Sequence, residues 1–134
     1  MNYGKKGYED YREKGEKYVN DKYKAKNLLD KAIEKAESKK GPIKNVWEEL
    51  QLMFSVAYDW VKGNYKDIPI KPLSMIFVAI LYFVTPTDIV PDVIPLGGFV
   101  DDVAVIAYVL KDIRDDLHAY KEWKKNNEEE EKSL

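Results

Sequence analysis

The chain has no cysteine and a single histidine, His118. Disulfides, thiolate nucleophiles and thiolate zinc sites are therefore excluded, and so is any metal site built from several histidines. A Ser–His–Asp triad would have to use His118, which lies in a polar C-terminal stretch. Net charge is only −2 over 134 residues, which argues against a general nucleic-acid binder. The N-terminal MNYGKKGYEDYREKG has basic residues but no apolar core segment, so no secretory signal is expected. A hydrophobic run long enough to span a bilayer is also missing. The uncharged stretch from Pro72 to Thr87 contains about a dozen helical residues, ~18 Å of helix against ~30 Å of hydrocarbon.

What is present suits one helical domain. Hydrophobic residues make up 45% of the chain and charged residues 34%, enough to bury a core and keep the surface wet. Charge is distributed unevenly. Residues 1–40 hold 12 Lys/Arg against 8 Asp/Glu, and residues 85–134 hold 6 against 12. The basic arm can lie against the acidic end, in the same chain or a second copy, or can face an anionic partner.

Helix formers dominate from Tyr8 to about Lys40. The apolar signal is weak at Tyr8, Tyr11, Tyr18 and Val19, interrupted by Gly15, and stronger from Ala25 to Ala36. The pattern predicts a loose first half and a docked second half. The tyrosines read either as a partner-binding stripe or as rings covering the core edge. Lys39-Lys40-Gly41-Pro42 marks a stop and restart. A second helix follows, with Ile43, Val46, Trp47, Leu50, Met53, Phe54, Ala57, Trp60 and Val61 following the 3.6-residue period, ended by Gly63-Asn64. The third, about 70–84, is apolar all round, which demands burial or lipid. In the fourth, Phe99, Val103, Ile106, Leu110, Ile113, Leu117 and Tyr120 form a heptad seam. Trp47, Phe54, Phe77, Leu81, Ile106 and Leu110 are the expected core. The expected organisation is a basic helical arm over 1–40, a helical core over 41–125 and an acidic, unordered tail over 126–134. The fold class is all-α: a small four-helix domain whose third and fourth helices form a central apolar hairpin, with no strand.

The hairpin is joined by TPTDIVPDVIPLGGFVDD, Thr85 to Asp102, which holds three prolines, a glycine pair, four carboxylates and no basic residue. Asp88, Asp92, Asp101 and Asp102 read in two ways. Hard cations such as Mg²⁺ or Ca²⁺ take carboxylate oxygens, and a tight turn could supply three or four of them. Alternatively, Asp101 and Asp102 cap the start of the fourth helix while Asp88 and Asp92 make Asx-turns. No nucleophile or phosphate-binding loop stands beside them, so catalytic and cofactor-binding residues are not assigned.

The spacing Tyr82-x-x-x-Pro86-x-Asp88-x-x-Pro91-Asp92-x-x-Pro95-x-x-Gly98-x-x-Asp101-Asp102 resembles the signature of the YkvA family, a bacterial domain of unknown function. The resemblance covers roughly residues 70–110. It implies that the four aspartates belong together as a motif, and it carries no enzymatic activity with it. The expected function is a non-enzymatic binding or interaction module, cytoplasmic and membrane-peripheral, with a protein partner, self-association or an anionic membrane surface met by the N-terminal arm. The alternative is a divalent-cation-binding protein or cation-dependent hydrolase using the aspartates.

Overall fold

The computed structural model describes residues 3–38, 44–84 and 97–133, with side chains for 4–38, 44–84 and 103–128. They form five α-helices and no strand: α1 (Tyr3–Glu16), α2 (Lys22–Ser38), α3 (Trp47–Lys62), α4 (Ile70–Val84) and α5 (Gly97–Ser133). Short 3₁₀ turns at Lys17–Asn20 and Lys44–Val46 precede α2 and α3. Helix α4 is the hub, in contact with each of the other four. Its mean hydropathy is matched by its surroundings: all eleven residues from Leu73 to Phe83 are buried. Helix and stripe therefore agree, since a cylinder that is apolar on every face must be enclosed on every face. Among the described residues no helix is long and apolar enough to cross a membrane.

The single helix expected over 8–40 is two helices. Asp21 adopts an extended backbone (φ −146°, ψ 92°) and its carboxylate accepts the Lys24 N–H at 3.1 Å. Its carbonyl accepts the Ala25 N–H at 2.9 Å. An aspartate that caps in this way starts a new helix even within a run of good helix formers. Gly63 ends α3 as expected. It takes the left-handed conformation (φ 80°), where glycine meets no Cβ penalty, and Asn64 N–H closes onto Asp59 O at 2.8 Å. The Gly41-Pro42 restart lies outside the described residues.

The first helix is not loose. Gly4, Gly7 and Gly15 all lie in the interface, and each leaves room for a neighbour that a side chain would displace. A Cβ on Gly15 would sit 2.6 Å from the Cα of Val78; one on Gly4 would meet Ala104 O at 2.4 Å. A Cβ on Gly7 would meet Val105 Cγ2 at 2.6 Å. Helix α1 thus lies backbone-close to α4 and to the first turns of α5. The tyrosines cover the core edge: Tyr8 is buried, Tyr11 meets Tyr82 edge-on at 5.1 Å, and Tyr18 stacks on Phe77 at 6.1 Å.

Two expectations about α5 need correction. Its buried residues are Val105, Ile106, Val109, Ile113, Leu117 and Tyr120, while Val103 and Leu110 are half-buried. The helix meets both α1 and α4 early in its length, so its buried arc is broader than a two-helix seam and rotated toward Val105 and Val109. Trp47 is likewise half-buried, packed against the core rather than inside it. Second, residues 126–133, expected as an unordered tail, continue the helix. Glu and Lys are good helix formers, and Trp123 and Asn127 remain half-buried on the same side of it.

In an exposed helix Gly→Ala would stabilise by about 1 kcal/mol. At Gly15 the clash is with backbone, which cannot rotate away, so Gly15→Ala should lower stability by roughly 1–3 kcal/mol. A urea midpoint equal to or above wild type would show that α1 stands off α4. Ile106→Ala should cost about 2–5 kcal/mol, and Leu110→Ala clearly less, measured in the same denaturation series.

Candidate functional site

Of the four aspartates, Asp88 and Asp92 lie outside the described residues. Asp101 and Asp102 lie in α5, whose first residue is Gly97. They stand one turn inside the helix, with no acidic residue in its first turn, so neither occupies the N-cap position expected of it. The two glycines before them are helical rather than part of the connection. Among the described residues no group of three or more His, Asp or Glu side chains is arranged to hold a metal. Tyr82, the first residue of the motif, is buried between Tyr11 and the Gly7 contact.

The described surface offers a different feature. Where α1 passes through the 3₁₀ turn into α2, a cleft of about 270 Å³ opens beside α4. Leu81 and Tyr18 give it apolar lining, Asp21 adds one carboxylate, and Lys14, Lys17 and Lys24 stand around it, a net of two positive charges. Those three lysines are exposed and make no ion pair with a described residue. The break at Asp21 is what brings them together. A single straight helix would carry Lys14 and Lys24 ten residues, ~15 Å, apart along one axis. Lys31 and Lys35 follow Lys24 at spacings of seven and four, so they continue the same edge of α2. Lys35 is engaged: its ammonium donates to the Phe83 carbonyl in the last turn of α4 and lies 4.9 Å from the Phe83 ring centroid. A cation at that helix end opposes the negative pole of its dipole. Other basic groups of the arm are also committed. Arg12 pairs with Glu9 and Glu16 at 3.7 and 3.6 Å, Lys26 with Asp30 at 3.0 Å, and Lys22 lies over Trp60. The cleft lysines, like the exposed Lys6 and Lys31, are thus uncommitted among the described residues.

A second polar cluster lies between α3 and α5, and the sequence reading missed it. Lys124 Nζ donates to Ser55 Oγ at 2.8 Å, and Ser55 lies 2.6 Å from the Tyr120 hydroxyl. Tyr120 donates in turn to the Asp59 carboxylate. Asp59 can only accept, so the proton order runs from lysine through serine and tyrosine to aspartate. Two i,i+4 polar pairs beside apolar stripes, Ser55/Asp59 and Tyr120/Lys124, were the available signal. Tyr120 is fully buried, flanked by Tyr65 and Trp123 at 5.0 and 5.8 Å. Burial first, and then the Asp59 hydrogen bond, pushes its hydroxyl far above the usual phenol range. It remains a donor at neutral pH and cannot serve Ser55 as a base, so the cluster is a strut joining two helices.

That strut has a pH signature. The folded-state pKa of Tyr120 is raised, so its contribution is fully present below the unfolded value of about 10 and is lost as pH climbs above it. Tyr120→Phe should cost ~1–3 kcal/mol at pH 8, by stranding Asp59 and Ser55. Its urea midpoint should then fall less steeply than wild type above pH 10. Parallel wild-type and variant curves across that range would contradict the assignment.

Comparison with known proteins places this architecture. The profile of a family described as "Protein of unknown function (DUF1232)" matches residues 73–108, which span most of α4, the Asp-rich connection and the first turns of α5. The chain is 37% identical over 94 residues to a protein of Bacillus subtilis (strain 168) called "Uncharacterized membrane protein YkvA", covering 70% of this chain and 85% of that one. No solved structure matches the chain. The buried apolar helix, the Tyr82 contact and this relationship agree: the chain belongs to the YkvA family of uncharacterised proteins.

Proposed function

We propose that this domain is a non-enzymatic binding module that docks peripherally on an anionic membrane surface through the lysine edge of α1 and α2. The observation that carries the reading is the cleft framed by Lys14, Lys17 and Lys24 with apolar lining from Leu81 and Tyr18. Basic side chains around a small apolar recess suit a surface that offers phosphate groups above hydrocarbon. The name of the Bacillus relative refers to a membrane, and no described helix here is long and apolar enough to cross one. Peripheral attachment reconciles the two. A lysine near an anionic surface contributes about 1 kcal/mol, so three give roughly 3 kcal/mol, a weak and reversible attachment that salt should reverse.

Point variants are the right tool, because deleting residues 1–40 would remove α1 and α2 from the core. The full chain should float with phosphatidylserine-containing vesicles at low salt, and not with phosphatidylcholine vesicles. Binding should disappear at high salt and in a Lys14→Glu/Lys17→Glu/Lys24→Glu variant that retains its wild-type melting curve. Salt-resistant flotation that the triple variant preserves would refute the lysine edge and assign attachment to apolar segments.

A further inference from the structure

The other side of α1 carries a second concavity, unconnected with the lysine edge. It is a groove of about 760 Å³ walled by α1, floored by the first two turns of α4 and closed by α5. Its size falls within the range of small-molecule sites.

Ser74 on the floor is the observation that points to a ligand. It is the buried polar residue of the described core, at 8% exposure, and it lines this groove. Its hydroxyl makes no hydrogen bond with another described residue. A hydroxyl withdrawn from water without a partner is costly, and a ligand oxygen in the groove would satisfy it. The lining is mixed, with apolar and aromatic residues between charged ones. Met75 is buried beside Ser74, and Tyr8 and Tyr108 meet with ring centroids 5.3 Å apart. At the rim Ile70 is 62% exposed, one of the two large hydrophobic side chains in the described chain left open to solvent.

The charges of the groove define the ligand's polar end. Arg12 and Glu16, both on α1, neutralise each other at 3.6 Å. Lys71 on α4 and Asp112 on α5 remain, and neither forms an ion pair with a described residue. One cation on the floor helix and one anion on the α5 side therefore stand on different elements, beside one unsatisfied hydroxyl. A purely anionic head would meet Asp112 unfavourably, and a purely cationic head would meet Lys71. A head carrying both signs satisfies both.

We infer that the groove binds a monomeric, single-chain zwitterionic amphiphile. Its anionic group pairs with Lys71, its cationic group with Asp112 and an oxygen of its head with Ser74. Its chain lies over Met75 and the tyrosine pair and covers Ile70. This site is separate from the lysine-framed cleft and does not depend on membrane docking.

The test uses the full chain and four dodecyl amphiphiles, each below its micelle concentration: dodecylphosphocholine, dodecyl sulfate, dodecyltrimethylammonium and dodecyl maltoside. Binding is followed by backbone amide NMR shifts. The expected result is saturable binding of the phosphocholine, with shifts centred on Ser74, Met75 and Tyr108. Affinity should be about tenfold tighter than for the other three heads, the scale of one charge-assisted contact. Lys71→Glu should transfer the preference to the cationic head and Asp112→Lys to the anionic head. The double exchange should restore preference for the zwitterion. Both positions are exposed, so the fold is preserved. Ser74→Ala should weaken binding several-fold for heads that offer an acceptor. Equal affinity for all four heads, preferences unmoved by the charge variants, or shifts centred on Lys14, Lys17 and Lys24 would each overturn the assignment.

Discussion

The contact on which the domain depends is between two backbones. Helix α1 approaches α4 so closely that its glycine at position 15 lies against both the main chain and the Cγ2 methyl of Val78. Close approach multiplies weak dispersion contacts along both helices, and it sets where the chain can go next. With α1 held there, the turn at Lys17–Asn20 must carry the chain across α4, and Asp21 must start α2 on the far side. Helix α3 and the outer half of α5 then complete the enclosure, tied to each other by Tyr120 and Asp59. The stretch Leu73–Phe83 of α4 needs such an enclosure in water, since an uncovered face would expose large aliphatic or aromatic side chains.

Much of this was legible in the residues. The periodicity of α3, the all-round apolarity of α4 and the end signal at Gly63 each have one physical solution, and the structure adopts it. The family read from the Tyr82–Asp102 spacing is the one that the 37% identity over 94 residues shows. The failures have a common cause. Glycine in a helix lowers propensity, so Gly4, Gly7 and Gly15 argued for looseness when read locally. Their value lies in what approaches them, and one sequence does not reveal the neighbour. Asp21 was hidden for a related reason: its cap lies in a stretch whose average composition favours an unbroken helix. The rotation of the buried arc on α5 followed from two partners, where a heptad assumes one.

The candidate site divides the same way. The four aspartates were conspicuous because they cluster in sequence. The lysine-framed cleft and the Ser74 groove each draw on three or more segments and have no sequence signature at all. Charge surplus over residues 1–40 foretold a positive surface, but not which lysines would be uncommitted. That distinction needed the partners: Glu9 and Glu16 for Arg12, Asp30 for Lys26, Trp60 for Lys22 and Phe83 for Lys35.

Helix α1 borders two concavities, contributing Lys14 to one and Tyr8, Arg12 and Glu16 to the other. Two sites that share a wall couple mechanically through movement of that wall. Here the wall is seated glycine against backbone, where even a small inward displacement meets main-chain atoms. Helix α1 is therefore a stiff wall common to both concavities, one that moves only together with the helices it is packed on.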